Sequence, residues 1–268
     1  MLGAFAARTR NVRLATTSLL LPLHHPLRVA AETATLDALS GGRLWLGLGR
    51  GFRAPVFEGF EVAAATKRDR FDEALDALLA AWSGEELSLA GAHFAARDGA
   101  RLRLGLRPLQ RPHPPLVVAA FGRKGLLQAA RRGLAYLASP LETLATLEAN
   151  YALWREESRG APDASRLVPV MRTAFVARDD AEAARVREAL AAETRALAPG
   201  APAALARAAA GPLEERVLVG TASEVRDAPA RYRERLGLDL IVARCEVGGA
   251  PAAARDASLE RLAELVAD

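Results

Sequence analysis

One cysteine, Cys245, and two lysines, Lys67 and Lys124, stand in a chain of 268 residues. A lone cysteine excludes an internal disulfide framework and a Cys-rich zinc site. Histidine is sparse too (His24, His25, His93, His113), and neither HExxH nor any clustered ligand spacing occurs, so no metal site is expected. No apolar run is long enough to span a bilayer: Leu19-Leu20-Leu21 is cut by Pro22 and two histidines, so no membrane partner is expected. Arg8, Arg10 and Arg13 precede that run, but no small-residue cleavage site follows it, so the N-terminus does not read as a signal peptide and a cytoplasmic protein is expected. G-x-S-x-G and P-loop motifs are missing. The near-absence of lysine makes the 36 basic residues almost all arginine, yet 32 acids leave a net charge of only +4. With no long run of like charge, the chain lacks a nucleic-acid footprint. Its wealth of Ala and Arg points to GC-rich coding rather than to a function.

What is present is ordinary for a globular protein: 51% hydrophobic and 25% charged residues. The length suits one large α/β domain or two small ones. Short β-rich runs alternate with helical patterns. Leu2 to Arg8 reads as the end of a helix, Arg13 to Leu21 as a buried strand, and Pro26 to Leu39 as a helix with an apolar face at steps of three and four. Pro26 suits a first helical turn and Gly41-Gly42 a stop. Further strands are expected at 43–48, 116–120, 134–138, 168–177 and 239–247. Helices are expected at 69–82, 124–132, 142–157, 181–198, 225–236 and 257–266. Residues 87–112 suggest hairpin-like excursions, and the Ala/Pro/Gly-rich 199–216 a lid-like insertion. Alternating strands and helices imply a parallel sheet with crossovers. A doubly wound sheet and a (β/α)8 barrel compete, and about six strands fall short of the eight that close a barrel.

Candidate sites lie at strand ends. In LGLGRGF (46–52), glycines let backbone approach a ligand and Arg50 offers a planar fork suited to phosphate; a plain strand-to-loop turn explains the run equally well. Arg70 opens the following helix, where a solvated arginine is the simpler reading. The segment Phe121-Gly122-Arg123-Lys124-Gly125 joins a strand to a helix start, where unpaired amides and the helix dipole attract anions. His24 and His25 end the first strand, as pocket residues or as a surface cap. His93 and His113 read as structural, and Cys245 as inert core.

The run RLATTSLLLPLHHPLRVAAETATLDALSGGRLWLGLGRGF, followed by VFEGF, RDRFDEALDALLAAW and PLQRPHPPLVVAAFGRKGLLQAARRG, resembles the bacterial luciferase-like flavin-dependent monooxygenases. The late VGTASEV and LGLDLIVARCEVGG resemble that family's ending, so the likeness covers most of the chain. It implies a single (β/α)8 TIM-barrel domain over 1–268 that binds reduced FMN, or F420 in one branch, and acts on a small-molecule substrate, with a homodimer as the expected assembly. The family's phosphate-binding positions fall on Arg50, with Gly51 beside it, and on Arg70, with amides of Phe121, Gly122, Arg123 and Gly125 on the same phosphate. A non-prolyl cis peptide is implied at Thr17–Ser18, beneath the flavin ring. Two departures stand out. The family's Ser or Thr side chains at the helix start are here Gly122 and Gly125. The family's first two strands and first helix, with a histidine that follows its second strand in many members, have no counterpart, so no catalytic acid or base is assigned and His25 is left as a weak candidate. A start placed too late, a partner covering the gap, or a chain without catalysis would each explain this; the burial an open barrel forgoes favours the first. An F420-dependent hydride transferase, a flavin-binding protein without turnover and an unrelated sugar-phosphate barrel are the other readings.

Overall fold

The computed structural model describes residues 1–120, 122–161, 165–197 and 203–267. The chain divides into two compact units, Met1–Ala119 and Ala120–Asp268.

In the first unit the order is α1 (Leu2–Arg8), β1 (Leu14–Leu20), α2 (Pro26–Ser40), β2 (Leu44–Gly49), α3 (Ala54–Gly59), α4 (Lys67–Ser83) and β3 (Leu116–Ala119). β2 lies between β1 and β3, all parallel. Leu44, Leu46 and Leu48 of β2 are fully buried, as a central parallel strand requires. α2 starts on Pro26, whose missing N–H is one that a first helical turn does not use. It buries Val29, Ala30, Thr33, Ala34 and Asp37, and ends at Gly41, whose φ of +66° suits a residue without Cβ. α4 packs on α2 and buries Phe71, Leu75, Leu78 and Trp82, each burial worth about 1.5–3 kcal/mol. The Trp82 indole N–H donates to Ala30 O (3.1 Å), and its ring stacks on His113.

Two polar side chains tie these elements together. The Arg43 guanidinium donates to Ser40 O, Thr9 Oγ1, Val12 O, Ala6 O and Thr9 O, fastening the ends of α1 and α2 at the start of β2. The buried Asp37 carboxylate accepts from Gln110 N (3.0 Å) and Gln110 Nε2 (2.7 Å), and that amide also donates to Leu44 O (2.7 Å). The expected excursion is present as two isolated antiparallel bridges, Leu87 with Leu102 and Ala90 with Ala95.

The second unit runs α5 (Arg123–Ala130), β4 (Ala135–Leu137), α6 (Leu144–Glu157), β5 (Pro169–Val176), α7 (Asp180–Leu197), α8 (Ala203–Ala209), β6 (Val217–Gly220), α9 (Ala222–Leu236), β7 (Leu240–Arg244) and α10 (Ala252–Ala267). β5 is parallel to β6 along its second half and to β7 along its first, and Ala138 after β4 bridges Val170. Phe175, Ala183, Val186, Leu190, Val217, Val219 and Val247 form a core beneath them.

The α/β class with parallel strands is the expected one. Three details differ. Among the described residues there is a seventh strand, β6, whose four residues are all buried; its pattern carries no period of two and is too short to stand out. Of the expected lid, 199–202 lie outside the described residues, while α8 and a 3-10 turn at Leu213–Glu215 give the rest regular structure: its alanines favour helix between the Pro/Gly breaks. Cys245 follows β7 rather than sitting in it and is only half-buried, because the strand ends at Arg244.

Candidate active site

β1 and β2 approach unusually closely at the site. The Thr17–Ser18 peptide is cis, and the β1–β2 register slips between Thr16 and Leu19. β2 carries Gly47 opposite the slip and Gly49 just beyond it, paired with Leu20. A Cβ at Gly47 would collide with the Thr16 carbonyl oxygen, and one at Gly49 with Ser18 Oγ. Thr16 Oγ1 also donates to Gly47 O (2.7 Å). These two glycines therefore make room for the neighbouring strand, whereas the sequence suggested room for a ligand. Gly51 has φ +73°, and a Cβ there would lie 2.9 Å from the Phe57 ring.

β2 delivers Arg50 to a half-buried position directly after the strand. Burial first, and nearby Arg68 second, hold its pKa below the ordinary arginine value, with Asp72 opposing. Arg68 and Asp72 belong to the first two turns of α4, which also carry Arg70. Arg70 Nε donates to Pro22 O (3.0 Å), and its guanidinium carbon stands 4.7 Å from the Phe94 ring centroid. No described residue accepts from its two Nη groups. His25 is the N-cap of α2 and exposed; its ring meets Phe94 edge-on at 5.6 Å. The desolvated Arg50 guanidinium and the Nη groups of Arg70 have the donor chemistry that a phosphate monoester takes.

In the second unit, Gly122 is the N-cap of α5, Arg123 and Lys124 are exposed, and Gly125 is buried; Phe121 lies outside the described residues. The Gly125 amide donates to Gly122 O (3.1 Å) and so is already taken within the helix start. Gly122 lines a cavity of about 320 Å³ with Glu142, Thr146, Asn150, Arg207 and Ala208. Its buried Glu142 accepts from Tyr136 OH (2.7 Å), Ser139 N (2.9 Å) and Asn150 Nδ2 (2.9 Å). Burial raises the Glu142 pKa above its ordinary value despite these bonds and Arg172. Burial and Glu142 raise Tyr136 as well. Fully buried Arg172 donates from Nε to Tyr232 OH (2.9 Å), and its Nη2 meets no partner among the described residues. Sequence reasoning missed Glu73, Phe94, Glu142 and Arg172. Glu73 lies in α4, Arg172 in β5, Phe94 in the excursion and Glu142 in the turn before α6, and only their contacts in the fold single them out. No group of His, Cys, Asp and Glu suited to a metal ion occurs among the described residues, and no described helix is long and apolar enough to cross a membrane.

A family model described as luciferase-like monooxygenase matches residues 1–266. The crystal structure of monooxygenase RslO1 from Streptomyces bottropensis superposes with a TM-score of 0.81 at 31% identity, covering 99% of this chain and 80% of that one. The oxygenase component of a flavin-dependent trigonelline monooxygenase of Acinetobacter baylyi is 34% identical over 120 residues, 43% of this chain and 31% of its own. An F420-dependent glucose-6-phosphate dehydrogenase of Beutenbergia cavernae is 36% identical over 140 residues, 49% of this chain and 39% of its own. The matches span only about two fifths of the curated relatives' lengths, 38% to 42% for three of them.

Proposed function

The chain belongs to the luciferase-like monooxygenase family, and from that premise we propose that it is a flavin-dependent oxidoreductase that uses reduced FMN and O₂ on a small organic substrate. The observation that carries this is the arginine end of the first unit: Arg50, crowded by Arg68, and Arg70, with both Nη groups open among the described residues. Two such forks suit a phosphate monoester better than a neutral ligand. The trigonelline monooxygenase, whose name states flavin dependence, supports the choice of cofactor.

When bound, reduced FMN supplies the electrons for oxygen chemistry. The protein's part is binding and orientation. Arg50 and Arg70 hold the phosphate. Thr17 and Ser18 within β1 and Gly51 just after β2 would line the flavin, with the bare glycines of β2 giving β1 the room it occupies.

Fluorescence titration of FMN tests the anchor. Arg50→Ala should weaken affinity by on the order of ten- to a hundredfold, the loss of charge-assisted hydrogen bonds. Unchanged affinity would remove Arg50 from the site. The F420-dependent relative favours a second reading, hydride transfer on the same anchors without O₂. Oxygen uptake with reduced FMN supports the first reading; substrate-dependent F420 reduction without oxygen uptake supports the second.

A further inference from the structure

We infer that Phe94 and Glu73 are positioning residues for Arg70, setting the direction in which its guanidinium meets the cofactor phosphate. This rests on Arg70 being a phosphate anchor. Arg70 and Glu73 are three residues apart on α4 and so share a face of the helix. Glu73 accepts from His93 N through both oxygens (3.1 and 3.0 Å) and from Phe94 N (2.5 Å). A carboxylate that takes successive backbone amides is a strong, directional grip. The excursion lies so close that a Cβ at Gly91 would collide with the Glu73 carboxylate.

The grip places the Phe94 ring, itself only 6% exposed, against the Arg70 guanidinium at 4.7 Å. An arginine over an aromatic face keeps its plane and loses little hydrogen-bonding capacity, since the ring takes none of its N–H groups. Pro22 O takes Nε alone. Two contacts, one on the face and one on Nε, thus fix the fork and leave both Nη groups for an anion. A flexible arginine would have to lose side-chain freedom on binding; this one has lost it beforehand. The excursion at 87–102, which supplies only two isolated bridges and a 3-10 turn at Arg97–Gly99 to the fold, acquires a purpose here.

Equilibrium titration of the full chain with FMN and with riboflavin, which lacks the phosphate, separates the possibilities. Phe94→Leu removes the ring face and keeps an apolar side chain. It should weaken FMN by roughly three- to tenfold and leave riboflavin affinity unchanged. Phe94→Tyr should restore FMN affinity, because it keeps the ring. In an Arg70→Ala background, Phe94→Leu should have no further effect on FMN. Glu73→Gln, which loses the charge-assisted grip, should give a smaller loss that is again confined to FMN. Unaltered riboflavin affinity and a cooperative circular-dichroism melt above the titration temperature report that each variant is folded. Equal losses for FMN and riboflavin, or Phe94→Leu and Glu73→Gln losses that persist without Arg70, would overturn the inference. So would an unchanged FMN affinity in both variants while Arg70→Ala weakens it. If Arg70→Ala itself leaves FMN binding intact, the phosphate-anchor reading fails and the inference fails with it.

Discussion

Gly47→Ala is expected to lower stability although alanine is the better residue for a regular chain. The new Cβ would collide with the Thr16 carbonyl oxygen and lie 3.1 Å from the Thr16 carbonyl carbon and 3.7 Å from Thr17 Cα. Those are backbone atoms of a paired strand, so no side-chain rotation relieves them. Overpacking of this kind costs about 1–3 kcal/mol. Separation of the strands also stretches the Thr16 Oγ1 bond to Gly47 O, worth about 1 kcal/mol. Reduced freedom of the unfolded chain returns about 0.5–1 kcal/mol. The net loss is about 2 kcal/mol, and for a chain of this size it lowers the melting temperature by roughly 4–8 °C. Gly59→Ala is the matched control: nothing lies within 4 Å of its Cβ, and it sits in α3. It should gain up to about 1 kcal/mol. Thermal melts followed by circular dichroism, with FMN titrations on the same samples, decide the matter. A Gly47→Ala protein that melts at or above the parent, or both variants shifting in one direction, would refute the close-approach argument.

Two further outcomes follow from buried carboxylates. Asp37→Ala removes two of the three acceptors of Gln110 and strands its backbone amide; with helix propensity and the helix dipole offsetting part of the loss, stability should fall by about 1–3 kcal/mol in urea unfolding, and Asp37→Asn by less. Burial raises the Glu142 pKa above its ordinary 4.5, so between those values the folded chain holds a proton that the unfolded chain gives up. Stability is therefore greatest below the ordinary value and declines as pH rises toward the folded-state one. Glu142→Gln should flatten that decline when urea midpoints are compared across the acid range.

Elements with length and period were legible: α2, α4 and α9 show apolar faces at helical steps, and the strands are short apolar runs between turn residues. Resemblance located the cis peptide at Thr17–Ser18, which no local pattern encodes. The glycines of β2 were visible as glycines, but their purpose depends on which atoms of β1 stand opposite, and that is a matter of register. Phe94 and Glu73 were illegible for a similar reason. Glu73 looks like any helical carboxylate until the excursion folds back twenty residues later and presents two amides to it.

Arg43 gives the scarcity of lysine a physical meaning. Its five bonds equal the number of N–H groups a guanidinium possesses. Lysine, with three donors around a single nitrogen, would abandon at least two of those acceptors, three of the four backbone ones being carbonyls at or just beyond the ends of α1 and α2. Where one side chain is the knot between two helix ends and a strand, the two basic residues are not exchangeable, whatever they are on the open surface.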